Sequence, residues 1–169
     1  MRRPTLIAAL LAVACAACGR TAAAVPCPGD AQARLQLEGT LVEGADCAAE
    51  AGITAAPLLA VTVAFTGDAS AAVCPSRALA EPLLGTRTGD AIDVSAEPIS
   101  ATFTSCSCTL QVTERVTGAL TRDGTGAAVA FSGELVDEVT PAAGGTCSAT
   151  GTAACLAPCQ MRWTLTGTR

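Results

Sequence analysis

The stretch CTLQVTERVTGALTRDGTGAAVAFSGELVDEV at residues 108–139 carries the clearest structural signal in the sequence. Apolar and polar residues alternate along much of it with a period of two, which is typical of a half-buried β-strand. The dipeptide Asp123-Gly124 near its middle favours a tight turn between antiparallel strands. The stretch therefore predicts a long β-hairpin.

The apolar pattern also indicates a register for this hairpin. A two-residue loop at Asp123-Gly124 would pair Leu120 with Ala127 and Val116 with Phe131, so that the apolar side chains of both strands share one face. A register one residue off would bury charged side chains. A four-residue loop would preserve the same two faces.

Other segments show the same alternation of apolar and polar residues. Their apolar positions are Leu35, Leu37 and Leu41; Leu59, Val61, Val63 and Phe65; Ile92, Val94 and Ala96; and Cys159, Met161, Trp163 and Leu165. After Pro98 the apolar phase shifts by one residue, which indicates a bulge or corner at Glu97-Pro98. The only helical candidate is residues 76–84, which Pro82 interrupts.

These patterns predict a mainly β fold with at most one short helix. We expect a single antiparallel β-sandwich or small barrel-like domain of about six to nine strands, stapled by disulfides. Gly39, Gly133 and Gly167 fall on the presumed inner face. Glycine there permits sharp curvature or close packing of a facing aromatic ring.

The N-terminus has the layout of a secretory signal. Arg2 and Arg3 precede an apolar stretch at residues 6–14, and small residues continue to residue 24. The apolar stretch is shorter than the roughly 20 residues that a membrane-spanning helix needs. We therefore expect residues 1–18 to be a signal peptide, 19–33 a tether and 34–169 a single β domain.

The sequence LLAVACAACG at residues 10–19 resembles the lipobox of bacterial lipoproteins. Cys18 has two alanines before it and Gly19 after it, and Cys15 is the alternative. The resemblance implies that a cysteine is diacylated and becomes the mature N-terminus, which would make the membrane a partner through an N-terminal lipid anchor. Ordinary signal-peptide cleavage near residue 24, giving a secreted or periplasmic soluble protein, is the competing interpretation.

The remaining cysteines suggest a disulfide framework, because exported domains tend to use cysteines in pairs. Lipidation of Cys18 would leave eight of the ten cysteines: Cys27, Cys47, Cys74, Cys106, Cys108, Cys147, Cys155 and Cys159. Cys106 and Cys108 share one side of a strand, so each should bond elsewhere, and one of them could reach Cys147. The other pairings stay open. We favour this structural role over a redox or metal motif, and expect no metal and no cofactor.

Composition excludes several kinds of chemistry. The chain contains no His, Lys, Tyr or Asn, and its net charge is −5. Because it has no His or Lys, the chain cannot form a His-dependent catalytic triad, an imidazole metal ligand or a lysine Schiff base. The acidic balance also disfavours nucleic acid as a partner. Only three Phe and one Trp supply large aromatic side chains, so cross-links should matter for stability.

Two acidic residues, Glu114 and Asp137, fall on the apolar face of the predicted hairpin. The register above places Glu114 opposite Gly133 and Asp137 four residues further along, about 13 Å away at 3.3 Å per residue. Paired catalytic carboxylates of glycosidases lie about 5 to 9.5 Å apart. The predicted separation therefore argues against an acid and base pair, and we assign no catalytic residue.

The sequence thus predicts a non-catalytic, lipid-anchored cell-envelope protein that acts as a structural or interaction module with an unspecified protein partner. We expect it on the outer membrane, facing the periplasm or the cell surface. One alternative is a lipocalin-like carrier of a small apolar ligand, which a cavity of about 300 Å³ or more would favour. The other is a secreted enzyme that depends on carboxylates alone.

Overall fold

The computed structural model describes residues 26–52, 57–76, 81–103, 105–143, 145–151 and 154–169. These residues form nine strands and one helix, which confirms the predicted mainly β fold. The strands are β1 (Asp30–Glu43), β2 (Leu58–Thr66), β3 (Ser70–Pro75), β4 (Leu83–Thr88), β5 (Ala91–Ser95), β6 (Ile99–Ala101), β7 (Leu110–Arg122), β8 (Ala128–Pro141) and β9 (Cys159–Thr168), and the helix is α1 (Ala45–Glu50).

The strands form one antiparallel sheet that closes on itself. The order is β5-β4-β3-β2-β1-β9-β8-β7-β6, and β5 also pairs with β7, which joins eight strands in a ring. β6 pairs with the same edge of β7 as β5 does, but nearer the start of β7, at residues 110–112 instead of 115–119. The chain therefore adopts the barrel-like alternative of the prediction. The break between β5 and β6 confirms the corner at Glu97-Pro98.

The wall of the barrel is tall on one side and short on the other. Thirteen residue pairs join β7 to β8, and ten join β8 to β9. Only four pairs join β3 to β4, and five join β4 to β5. The inner face of β7, β8 and β9 therefore extends beyond the rim formed by the shorter strands.

The interior is filled by the inward side chains of alternating positions, as the period-two pattern predicts. The largest fully buried ones are Leu37, Leu110, Met161, Leu165, Val63, Val94 and Val139. Glycines on the inner face allow close packing, since a Cβ at Gly39 would lie 2.5 Å from Cγ of Pro57, and one at Gly133 would lie 2.9 Å from Cζ of Phe131. Close packing of an aromatic ring is thus confirmed at Gly133, whereas Gly39 makes room for a proline ring.

The predicted faces of the β7–β8 hairpin are correct, but the predicted register is wrong. Leu120 pairs with Phe131, four residues beyond the expected partner. The loop is the first reason, because the carboxylate of Asp123 accepts hydrogen bonds from the amides of Thr125 (2.9 Å) and Ala127 (3.0 Å). These bonds organise a loop at residues 123–127 in which Gly126, at φ 84°, takes the left-handed conformation. This five-residue loop moves the partner of Arg122 by three residues, and a bulge between Thr121 and Arg122 adds the fourth. Beyond the bulge the shift is even, so the side chains from Ala130 onward keep their predicted faces.

The helix lies where the sequence did not indicate one. α1 follows Gly44, which adopts φ 84°, and buries Cys47 and Ala48. The predicted helix at residues 76–84 is wrong in its described part, because Leu83 and Leu84 begin β4 with one side chain buried and the next exposed. Residues 77–80 lie outside the described residues. Within the described ranges, no helix has the length and apolar character needed to cross a membrane.

Four disulfides join the eight cysteines of the described residues. They are Cys27–Cys74, Cys47–Cys159, Cys106–Cys155 and Cys108–Cys147. Cys106 and Cys108 bond elsewhere, as the strand geometry predicts, and Cys108 reaches Cys147.

The ordered fold includes residues that the sequence suggested belong to a tether. β1 begins at Asp30, ahead of the boundary at residue 34. Cys27 is bonded to Cys74 of β3, so residues 27–29 are held against the sheet by a covalent cross-link. The predicted signal peptide, Cys15 and Cys18 lie outside the described residues.

Candidate functional site

A cavity of about 200 Å³ lies inside the barrel, between the tall wall of β7, β8 and β9 and the rim formed by β2, β3 and β4. Most of its lining is apolar. The lining residues are Leu37, Pro57, Leu59, Val61, Val73, Pro75, Leu83, Glu114, Val116, Leu135, Asp137 and Trp163. Leu59, Pro75 and Glu114 retain partial exposure, whereas Val61 and Asp137 are buried, so the cavity extends from the rim into the interior.

Glu114 and Asp137 face each other directly across the β7–β8 ladder. This pairing overturns the predicted separation of about 13 Å, which assumed that Glu114 lies opposite Gly133. The four-residue shift, which the 123–127 loop and the bulge between Thr121 and Arg122 produce together, brings the two carboxylates into this pair. Residues directly opposite in an antiparallel pair have Cβ atoms about 4.5 to 5.5 Å apart, so the two acids share one small volume.

The electrostatic environment of Asp137 disfavours its charged form. The residue is only 8% exposed. Burial raises the pKa of the Asp137 carboxyl to about 6, and the neighbouring negative charge of Glu114 adds to this effect, while the indole N–H of Trp163 opposes it. Asp137 therefore changes charge close to neutral pH.

Two buried polar atoms of the cavity have no hydrogen-bond partner among the described residues. They are Oδ1 of Asp137 and Nε1 of Trp163. Trp163 lies near enough to Asp137 to influence its pKa, yet its N–H does not meet hydrogen-bond geometry with that carboxylate. A buried polar group without a partner costs about 1 to 3 kcal/mol, so both atoms are sites where a ligand could form new bonds.

No ion pair neutralises Glu114 or Asp137 in the described part of the chain. The sequence has neither Lys nor His, and the described arginines that form ion pairs do so with other carboxylates. The ion pairs are Arg87–Asp68, Arg115–Asp93, Arg122–Asp90 and Arg162–Glu43. Among the described residues, the cavity therefore combines two acidic groups with an apolar wall and no cationic side chain.

The arrangement is better suited to binding than to hydrolysis. Two adjacent carboxylates, one with a raised pKa, could serve as acid and base. However, sugar or peptide substrates need many hydrogen-bonding partners, and Glu114, Asp137 and the Trp163 N–H are the polar side-chain groups of the described lining. An apolar wall with a few convergent polar groups is typical of a small-molecule binding site.

A second cluster of potential ligand atoms has a structural role. Glu50, Cys106 and Cys155 present atoms within 4.8 Å of one another, but the two sulfurs form a disulfide and offer no thiolate. Oε2 of Glu50 accepts a hydrogen bond from the amide of Leu156 at 2.8 Å, and Oε1 accepts one from the hydroxyl of Ser105. Glu50 thus fastens α1 to the cross-linked loops.

The sequence pointed to Glu114 and Asp137 but not to their pairing, and it gave no hint that Trp163 belongs to the same site. Trp163 joins them because β9 pairs with β8, which places Trp163 opposite Leu135. No family model, curated protein or solved structure matches the chain. The cavity is therefore the main observation on which a functional proposal can rest.

Proposed function

We propose that this chain is a non-catalytic, lipid-anchored cell-envelope protein whose barrel binds a small, mainly apolar ligand. The observation that carries the proposal is the cavity, in which buried polar atoms of Asp137 and Trp163 have no hydrogen-bond partner among the described residues and lie inside an apolar wall. A purely structural barrel would gain stability by replacing these groups with packed apolar side chains. The presence of the Asp137 carboxylate and the Trp163 N–H is explained if a bound ligand forms hydrogen bonds with them.

The size of the cavity limits the ligand. At about 200 Å³ it is smaller than the roughly 300 to 1,000 Å³ of pockets for drug-sized molecules, and below the volume that the sequence-based carrier hypothesis named. It exceeds the roughly 150 Å³ of an engineered cavity that binds benzene. We therefore propose a ligand about the size of one ring or a short branched chain, rather than a long lipid.

The proposed location is supported by the covalent framework and by the N-terminal sequence. Four disulfides suit an oxidising compartment. The lipobox-like sequence at residues 10–19 supports attachment through Cys18. The membrane is then a partner only through the lipid, and the barrel remains accessible to its ligand.

The single tryptophan makes ligand binding directly measurable. The chain has one Trp and no Tyr, so intrinsic fluorescence and the one indole N–H signal in an NMR spectrum both report on the cavity. Titration with benzyl alcohol, a small apolar probe with one hydroxyl, should change both signals saturably. Absence of saturable binding across a panel of single-ring neutral and charged probes would overturn the proposal.

Two variants distinguish cavity binding from surface binding. Val61→Phe places a ring inside the cavity wall and should abolish binding, because Val61 is 2% exposed and lines the cavity. Val42→Phe adds the same ring at a position that is 52% exposed and should bind as the parent protein does. Circular dichroism checks that both variants fold.

Intact-mass analysis of the protein from its native envelope tests the proposed anchor. The expected mature chain begins at Cys18 with acyl groups attached, and it gains about eight hydrogens when four disulfides are reduced. A mature chain without acyl groups that starts near residue 25 would instead establish ordinary secretion and remove the lipid anchor from the proposal.

A further inference from the structure

We propose that the ligand of this cavity is a small organic cation, an amine whose ammonium group lies between Glu114 and Asp137 while its apolar part contacts the cavity wall. This inference rests on the proposed binding function and specifies the chemical class of the ligand. It starts from the charge imbalance of the site, in which two facing carboxylates lack a cationic partner among the described residues.

An ammonium group matches the polar atoms that the cavity presents. Its three N–H donors can serve Oδ1 of Asp137, which is buried and has no partner in the described part of the chain, and a carboxylate oxygen of Glu114 in the same volume. Hydrogen bonds between charged groups are about twice as strong as those between neutral ones. Charge attraction is also stronger at a site that is largely shielded from water.

Trp163 adds a second feature that favours a cation. Its side chain is buried and lines the same cavity, and the face of an indole ring attracts a cation within about 6 Å of its centre. Its unpartnered N–H gains a better acceptor once a bound cation keeps Asp137 ionised. A neutral ligand would add no positive charge to the two carboxylates, which have no cationic partner among the described residues.

A metal ion suits the site less well than an amine. Calcium takes six to eight oxygen ligands, and magnesium demands nearly octahedral coordination. Glu114 and Asp137 are the carboxylates of the described lining, and their neighbours there are aliphatic side chains, two prolines and Trp163. The wall thus supplies apolar contact for a hydrocarbon group and few additional oxygen atoms.

The titration of Asp137 gives cation binding a characteristic pH dependence. Glu114 faces it from β7, Met161 and Trp163 lie on β9, and the described lining from β1 to β4 contributes only apolar side chains. Because the pKa of Asp137 is raised to about 6, lowering the pH from about 7.5 to about 5 protonates most of it. Affinity for an amine should therefore fall about tenfold over this interval.

The test compares benzylamine with benzyl alcohol, a neutral probe of similar size and shape, by Trp163 fluorescence and indole NMR. Benzylamine remains protonated throughout the pH interval. At about pH 7.5 it should bind at least about tenfold more tightly than the alcohol, and at about pH 5 the difference should largely disappear. The affinity for benzyl alcohol should change little with pH.

Charge variants assign this preference to the two carboxylates. Asp137→Asn should abolish the preference for benzylamine and its pH dependence while leaving binding of benzyl alcohol intact, and Glu114→Gln should weaken the preference. Glu134→Gln is the matched control, because it removes the same charge from an exposed position of the same strand. It should behave as the parent protein does.

The outcomes separate the inference from the function on which it rests. Equal binding of both probes at all pH values would overturn the cation proposal and leave the binding function in place. Failure of both probes to bind, with the fold intact, would overturn the two together. Displacement of benzylamine by low concentrations of calcium or magnesium would show that the carboxylates bind metal ions, which also overturns the proposal.

Discussion

Gly118 and Gly133 lie directly opposite each other in the β7–β8 ladder, and the ring of Phe131 packs over both. A Cβ on Gly118 would lie 2.5 Å from Cζ of Phe131, and one on Gly133 would lie 2.8 Å from Cα of Gly118. Real Cβ atoms do not approach other atoms so closely. The glycine pair thus makes room for one of the few aromatic rings of the barrel interior.

Gly133→Ala should destabilise the barrel, because the added methyl group meets backbone atoms that cannot move independently of the ladder. We expect a loss of about 1 to 3 kcal/mol in the free energy of unfolding, measured by chemical denaturation with the disulfides intact. Gly124→Ala is the control, since no atom of the residues that the structure describes lies within 4 Å of a Cβ built there. Equal stability of the two variants would show that the backbone of β7 does not approach Gly133 as closely as the ladder places it.

The disulfide between Cys47 and Cys159 should contribute more to stability than the one between Cys108 and Cys147. The first bridges a sequence separation of 112 residues and the second one of 39. Cross-linking a longer loop removes more entropy from the unfolded chain. Because the intact Cys106–Cys155 bridge shortens both loops, we expect losses of about 4 kcal/mol for the Cys47–Cys159 pair and about 3 kcal/mol for the Cys108–Cys147 pair on replacement by alanine. Chemical denaturation of the two double variants provides the measurement. A larger loss for the Cys108–Cys147 pair would contradict loop closure as the main effect.

The faces of the long hairpin could be predicted from the sequence, but its residue pairs could not. Alternation has a period of two, so any even shift in register preserves the inner and outer sets. The actual shift combines the loop that the Asp123 carboxylate and the positive φ of Gly126 organise with a bulge between Thr121 and Arg122. The proximity of Glu114 and Asp137 follows from the loop and the bulge together, and the alternation of apolar residues specifies neither.

The position of Trp163 in the site depends on strand order, which local patterns do not specify. Trp163 lies in the last strand, and it reaches the cavity only because β9 inserts between β8 and β1.

The helix α1 was not predicted from the sequence, for a different reason. Its sequence ADCAAE is too short and too rich in alanine to show a helical period, and it docks through Cys47 and Ala48, which are both buried.

Glu50 should contribute more to the stability of the fold than an ordinary residue at the end of a helix. Its carboxylate accepts hydrogen bonds from the Leu156 amide and from the buried hydroxyl of Ser105. Glu50→Ala leaves both donors without this partner and should cost about 2 kcal/mol of stability. Glu50→Gln keeps one side-chain oxygen acceptor and should cost less. Hydrogen exchange at the Leu156 amide should accelerate in the alanine variant, and unchanged exchange would contradict the assigned hydrogen bond.

Asp137 should make the stability of the empty barrel decrease as the pH rises from about 4 to about 6. Its pKa in the folded protein is raised to about 6 from 3.8, so over this interval the folded state holds a proton that the unfolded state has released. The unfolded chain binds fewer protons, and the free energy of unfolding therefore falls with increasing pH until Asp137 is ionised in both states.

Asp137→Asn removes this ionisation and should stabilise the ligand-free protein at about pH 7.5 by about 2 to 3 kcal/mol relative to the parent, with no such gain below about pH 4. Denaturation of both proteins across the pH range provides the measurement. Glu134→Gln should show no such pH-dependent gain, because its carboxylate lies exposed on the outer face. A gain of the same size at both pH values would mean that the substituted amide side chain improves packing, and that ionisation of a buried Asp137 carries no cost.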